Sequence, residues 1–142
     1  MSKYVSFLRA INVGGHTVKM DHLRRLFEAL GFANVETFIR STSEVAAIAK
    51  YKPFAESELS AEGNMLYIGF VSGKPSNEAK QNLLSSATKT DEFHIFEREI
   101  YWLCRKMFHE SKFSGGLIEK ILAMPATFRN STTIRKIAAK YS

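Results

Sequence analysis

Glu92-Phe93-His94-Ile95-Phe96-Glu97-Arg98-Glu99-Ile100-Tyr101-Trp102-Leu103-Cys104-Arg105 holds two aromatic-rich runs parted by three charged residues. β-branched and aromatic runs split by a short polar break make a hairpin, with strands expected over Glu92 to Phe96 and Ile100 to Arg105. A hairpin sets its strands antiparallel, which excludes the wholly parallel sheet of a doubly wound fold. The expectation is an α+β fold with a mixed or antiparallel sheet and helices on one side.

Working back from the hairpin, Ser76 followed by Asn77-Glu78-Ala79-Lys80 is helix-start chemistry, and Ala79, Leu83 and Ala87 share one face of a helix running to about Ser86. Met65 to Val71 reads as an apolar strand, Ala55 to Asn64 as a loop with a fragment of helix, and Ser43 to Ala49 as a short helix halted before Pro53. Val35 to Ser41 alternates like a strand, and Leu23, Leu26, Phe27 and Leu30 form one helical stripe ended by Gly31. Lys3 to Leu8 is a mostly apolar strand, so residues 1–42 read as a βαβ lobe and residues 43–142 as an α+β lobe packed with it as one unit. Beyond the hairpin, Leu117 to Leu122 forms a helix broken by Pro125. A last helix from about Ser131 to Tyr141 turns Ile134, Ile137, Ala138 and Tyr141 inward.

The 142 residues suffice for one domain or two small lobes, since a chain of that size buries roughly 68 to 70% of its unfolded surface. Apolar content of 45% and charged content of 24% are ordinary for a folded soluble protein. No run approaches a membrane span, and the start lacks the apolar core of a signal peptide, so the cytoplasm is the expected compartment. A lone Cys104 excludes an internal disulfide. Net charge is +6, unevenly spread: residues 1–42 carry six Lys/Arg against three Asp/Glu, residues 43–97 five against eight, and residues 98–142 nine against three. Two basic ends that meet in the fold add their fields on one face, which favours nucleic acid, a nucleotide or another anion. The plainer alternative is that the charge merely keeps the protein soluble.

Several stretches carry a family likeness: Phe7-Leu8-Arg9-Ala10-Ile11-Asn12-Val13-Gly14-Gly15, Val18-Lys19-Met20 leading to Leu23, Leu30-Gly31-Phe32 followed by Val35 and Thr37, Pro53-Phe54, Glu97-Arg98-Glu99, and Ala126-Thr127-Phe128-Arg129-Asn130-Ser131-Thr132-Thr133. On these residues the chain resembles the uncharacterised domain-of-unknown-function family 1697. The resemblance implies a small bacterial α+β protein with ferredoxin-like pieces and no established activity. In that family the Thr37 strand usually continues into a Gln-Ser-Gly-Asn turn and further elements, whereas here Ser41 runs almost directly into Ser43-Glu44-Val45. The first lobe therefore reads as truncated, with a sheet edge to be covered by the second lobe or by another copy of the chain. Ala10, where the family usually has glycine, and Ser131, where an aromatic usually follows Arg-Asn, also depart from it.

The sharpest site candidate joins Arg9, Asn12, Gly14, Gly15 and Lys19 with Arg129, Asn130 and Thr133. Each group lies at or just before an expected helix N-terminus, where N–H groups and the dipole favour anions, and each brings an arginine whose fork suits phosphate or carboxylate. The simpler account is that Asn130 caps the last helix and the glycines only turn the chain. Gly14-Gly15-His16-Thr17 matches neither a P-loop nor a dinucleotide fingerprint, His16, His22, His94 and His109 lack metal-ligand spacing, and no nucleophile elbow exists, so neither cofactor nor metal is expected. Cys104 reads as a small buried hydrophobe, and Phe93, Phe96, Tyr101 and Trp102 as core residues rather than a base-stacking surface.

Three functional readings stay open. The leading one is a binding module whose basic surface accepts nucleic acid or a nucleotide. The others are a small enzyme acting on a phosphorylated or carboxylated metabolite, with Arg9 and Arg129 as clamps, and a structural homodimer that covers the shortened lobe.

Overall fold

Two antiparallel sheets flanked by five helices make up residues 4–12, 32–105 and 111–141, the part of the chain that a computed structural model describes. Strands β1 (Tyr4–Asn12) and β2 (Phe32–Ser41) form a two-stranded ribbon. Strands β3 (Met65–Phe70), β4 (Asp91–Phe96), β5 (Glu99–Cys104) and β6 (Thr127–Asn130) form the main sheet, in the order β4-β5-β3-β6. The helices are α1 (Thr42–Lys50), α2 (Glu56–Leu59), α3 (Asn77–Leu84), α4 (Gly115–Leu122) and α5 (Ser131–Tyr141).

The hairpin forms as its composition predicts, Phe96 facing Glu99 across a two-residue turn of Glu97 and Arg98. Glu97 adopts φ 54°, the left-handed backbone such tight turns require and usually assign to Gly or Asn. Side-chain caps set the helix starts. Ser76 accepts from Ala79 N at 3.1 Å and Ser114 from Leu117 N at 3.2 Å. Ser41 and Glu44 form a reciprocal capping box at α1. Behind the first two caps lie i, i+4 buried pairs, Ala79 with Leu83 and Ile118 with Leu122, and behind the third the i, i+3 pair of Val45 and Ile48.

Every residue of β5 is buried, as expected of a strand covered on both faces. On one face Ile100, Trp102 and Cys104 pack with Ala79 and Leu83 of α3 and with Ile118 and Leu122 of α4. On the other, Tyr101, Ile68 and Phe70 pack with Phe7, Phe38, Val45 and Ile48 of α1 and Ile134 of α5. Helices therefore cover both faces, which corrects the expectation of helices on one side. The physical reason is that β5 is apolar at consecutive positions, so each of its two faces needs its own cover.

The ribbon differs from expectation as well. β1 and β2 pair antiparallel, with Phe7 opposite Phe38 and Val5 opposite Arg40, rather than in the parallel manner of a βαβ unit. The helix expected around Leu23 to Leu30 lies outside the described residues. The ribbon packs its inner side on the main sheet, and Phe7 stacks on Phe70 with ring centroids 4.1 Å apart and planes 9° from parallel. Cys104 is fully buried, as are Tyr101 and Trp102, but Phe96 is 46% and Tyr141 47% exposed. Both of these sit at the end of an element, where the core no longer reaches their faces.

β6 has no counterpart in the sequence reading. Its four residues are too few for a period, and they become a strand by pairing with β3, Ile68 opposite Arg129 and Phe70 opposite Thr127. The same pairing puts Phe128 over Gly69, where a Cβ would run into the phenyl ring.

Candidate functional site

The two chain ends do approach one another, because β1 passes beside β6. Thus the strand carrying Arg9 and Asn12 runs along the strand carrying Arg129 and Asn130. On the β1 backbone Arg9 faces Glu36 and Asn12 faces Phe32; Gly14, Gly15 and Lys19 lie outside the described residues. Arg129 is half-buried, and its Nη1 donates to Thr127 Oγ1 at 2.6 Å and to the Phe128 carbonyl at 2.8 Å. Burial holds its pKa below the usual guanidinium range. Asn130 Oδ1 accepts from Thr132 N at 2.8 Å, an N-cap to α5. Thr133 is exposed on the first turn of α5.

A hollow lies next to that cap. It is a cleft of about 520 Å3 between the end of α1, the α2 segment, the start of β3 and the N-terminus of α5. Lys50, Tyr51, Lys52, Glu56, Asn130, Ser131 and Arg135 are among its polar lining residues, and Ile48, Leu59, Leu66 and Ile68 among its apolar ones. Of the singled-out residues near the C-terminal end, Asn130 lines it and Arg129 and Thr133 do not.

Local chemistry holds these side chains in place. Lys52 pairs with Glu56 at 2.8 Å, one helical turn on. Arg135 Nη2 reaches Thr132 Oγ1 at 3.5 Å, a long contact within its own helix. Tyr51 caps the end of α1; its hydroxyl lies 2.7 Å from His94 Nε2 and its ring stacks on Phe96, centroids 4.7 Å apart. Burial and the nearby Lys80 charge lower the His94 pKa, which favours the neutral imidazole, whose tautomer decides whether Nε2 accepts from the Tyr51 hydroxyl or donates to it. Helix α5 carries Arg135, Lys136 and Lys140 and no acidic residue, and its positive dipole end opens on the cleft.

A smaller hollow of about 300 Å3 sits by the hairpin turn, lined by Glu44, Phe96, Arg98, Glu99 and Tyr101 among others. Its charges compensate internally: Arg98 pairs with Glu44 at 3.0 Å and Glu99 with Arg40 at 2.9 Å. No group of three or more His, Cys, Asp or Glu suited to a metal ion occurs among the described residues. No helix among them is long and apolar enough to cross a membrane.

The cleft cations escaped the sequence reading because Lys50 and Arg135 sit on different helices, far apart in the chain. One signal was available, the absence of any acidic residue from 131–141 beside three basic ones. Residues 1–43 and 38–101 match the family described as protein of unknown function (DUF1697). The two matched stretches meet where β2 passes into α1. No curated protein and no solved structure matches the chain.

Proposed function

The chain belongs to the DUF1697 family of proteins of unknown function, and we propose from the geometry of its cleft that it is a binding module for a phosphate-bearing ligand of the nucleotide class. The observation that carries this reading is a concave space of about 520 Å3 lined by Lys50, Lys52 and Arg135, with Glu56 paired to Lys52, and by the apolar Ile48, Leu59 and Leu66. Ligand sites commonly measure about 300 to 1,000 Å3 and combine an apolar wall with a few placed polar groups.

The roles follow from chemistry. Arg135 offers a planar fork to two phosphate oxygens, and Lys50 adds a mobile point charge. Asn130 already occupies Thr132 N–H, so the start of α5 contributes its dipole and the Ser131 and Thr132 hydroxyls rather than that donor. Lys52, held by Glu56, contributes less charge than its position suggests. Leu59, Leu66 and the Tyr51 ring supply a wall for a base or sugar.

Thermal unfolding with inorganic phosphate, AMP and a mixed nucleotide set tests the reading. A ligand at 100 times its Kd stabilises the fold by about 2.7 kcal/mol, which raises Tm by several degrees. Lys50→Ala combined with Arg135→Ala is expected to abolish the rise. No shift with any phosphate-bearing compound, or an equal shift in the double variant, would overturn the proposal.

A further inference from the structure

The cleft does not end at its cations. A second hollow of about 270 Å3 runs between α1 and α5, which pack side by side. Ala49, Lys50 and Arg135 line both hollows, so the two hollows adjoin at these cations. Among the described residues no carboxylate lies within ion-pair distance of Lys50 or Arg135, whereas Arg40, Lys52, Lys74, Arg98 and Arg105 each have one. Lys136 and Lys140 continue the positive charge along the exposed side of α5.

A single nucleotide places its phosphate at one end of a site and has no use for the hollow beyond. Uncompensated cations where two hollows adjoin suit a chain of anions that passes between them. We infer that the occupant is a single-stranded nucleic acid, its phosphates running between Lys50 and Arg135 from the large hollow into the second one. This rests on the reading of the cleft as a phosphate site.

Lengths agree with that assignment. Ser131 to Lys140 spans about 13 Å of helix axis at 1.5 Å per residue, the reach of about four stacked nucleotides at roughly 3.4 Å each. The hollow between the helices measures about 270 Å3, a space in which two paired strands do not fit. Apolar side chains in the large hollow give a splayed base a wall to pack on, as single-strand sites do.

Fluorescence anisotropy with labelled oligo-dT of two, four and eight nucleotides, beside AMP, a duplex of the same length and poly-glutamate as competitor, decides the matter. The expected result is an affinity at least tenfold higher for the eight-mer than the two-mer, falling with added salt. In Lys50→Ala/Arg135→Ala the slope of log affinity against log salt should shrink by about 1.4, at about 0.7 per phosphate contact. Lys120→Ala, exposed on α4 across the main sheet, should leave the slope unchanged, and matched melting curves show that the variants fold. AMP binding as tightly as the eight-mer overturns this inference and leaves the phosphate site standing. A tighter duplex, or displacement by poly-glutamate at equal charge, also overturns it. Failure of both AMP and every oligonucleotide to bind removes the underlying site as well.

Discussion

Arg40 and Glu99 form a buried ion pair, Nε to Oε2 at 2.9 Å, that ties the β1–β2 ribbon to the main sheet. Arg40 is fully buried; it also donates to the carbonyls of Ile39, Val71 and Arg98 and lies 5.3 Å from the centre of the Phe70 ring. Burial pushes the Glu99 carboxyl up while the Arg40 guanidinium pulls it back down. Losing one partner strands the other charge without water. Arg40→Met or Glu99→Leu alone should destabilise the fold by about 3 to 5 kcal/mol. The double replacement should cost clearly less than the two added together, as measured by urea unfolding; strict additivity would show that the pair does not act as a unit.

Gly69 answers a packing need rather than a turn. A methyl group there collides with Phe128, and Phe128 sits in the core layer beside Trp102, ring planes 87° apart. Gly69→Ala should cost about 1 to 3 kcal/mol, the usual range for overpacking. Adding Phe128→Leu should recover part of that loss in the same unfolding experiment.

Asp91 is buried and accepts from Trp102 Nε1 and from Ser111 Oγ, both at 2.7 Å. Asp91→Ala removes the carboxylate acceptor from the buried indole N–H, at a cost of about 1 to 3 kcal/mol. The emission of Trp102, the one tryptophan, should shift along with the midpoint. A variant with unchanged stability would mean that water replaces the carboxylate.

His94 makes stability depend on pH. Its folded pKa lies below the ordinary 6.5, through burial first and the Lys80 charge second, so the unfolded chain takes up a proton that the folded one refuses. The contribution is fully present above 6.5 and declines as pH falls toward the lowered folded value. Protonation also leaves Nε2 able only to donate to the Tyr51 hydroxyl 2.7 Å away. Tm measured from pH 8 to pH 5, with His94→Phe beside the wild type, should fall less steeply in the variant; parallel curves would assign the dependence to other groups.

Asn130 distinguishes cap from ligand contact. Asn130→Ser keeps an N-cap acceptor and should leave stability nearly unchanged, whereas Asn130→Ala should lose about 1 kcal/mol. If ligand affinity follows the cap rather than the amide, the two variants will separate in a binding titration.

Local chemistry was legible along the chain. The caps at Ser76 and α5, the hairpin around Glu97 and Arg98, the burial of Cys104 and the α+β class all rest on interactions within a few residues, which spacing and side-chain type specify directly. Asn130 was readable for the same reason, as a cap. The cleft was not, because Lys50 and Arg135 become neighbours when α1 and α5 pack on one face of the main sheet.

The type of most elements and many of their inward residues, though not Phe96 or Tyr141, were thus settled by short-range backbone hydrogen bonding and hydrophobic period. Three-dimensional packing alone chose the antiparallel pairing of β1 with β2, made a strand of Thr127–Asn130 and dressed both faces of β5 with helices. Strand partners and cleft walls depend on contacts between residues distant in the chain, and no local pattern records which of many apolar surfaces will find each other first.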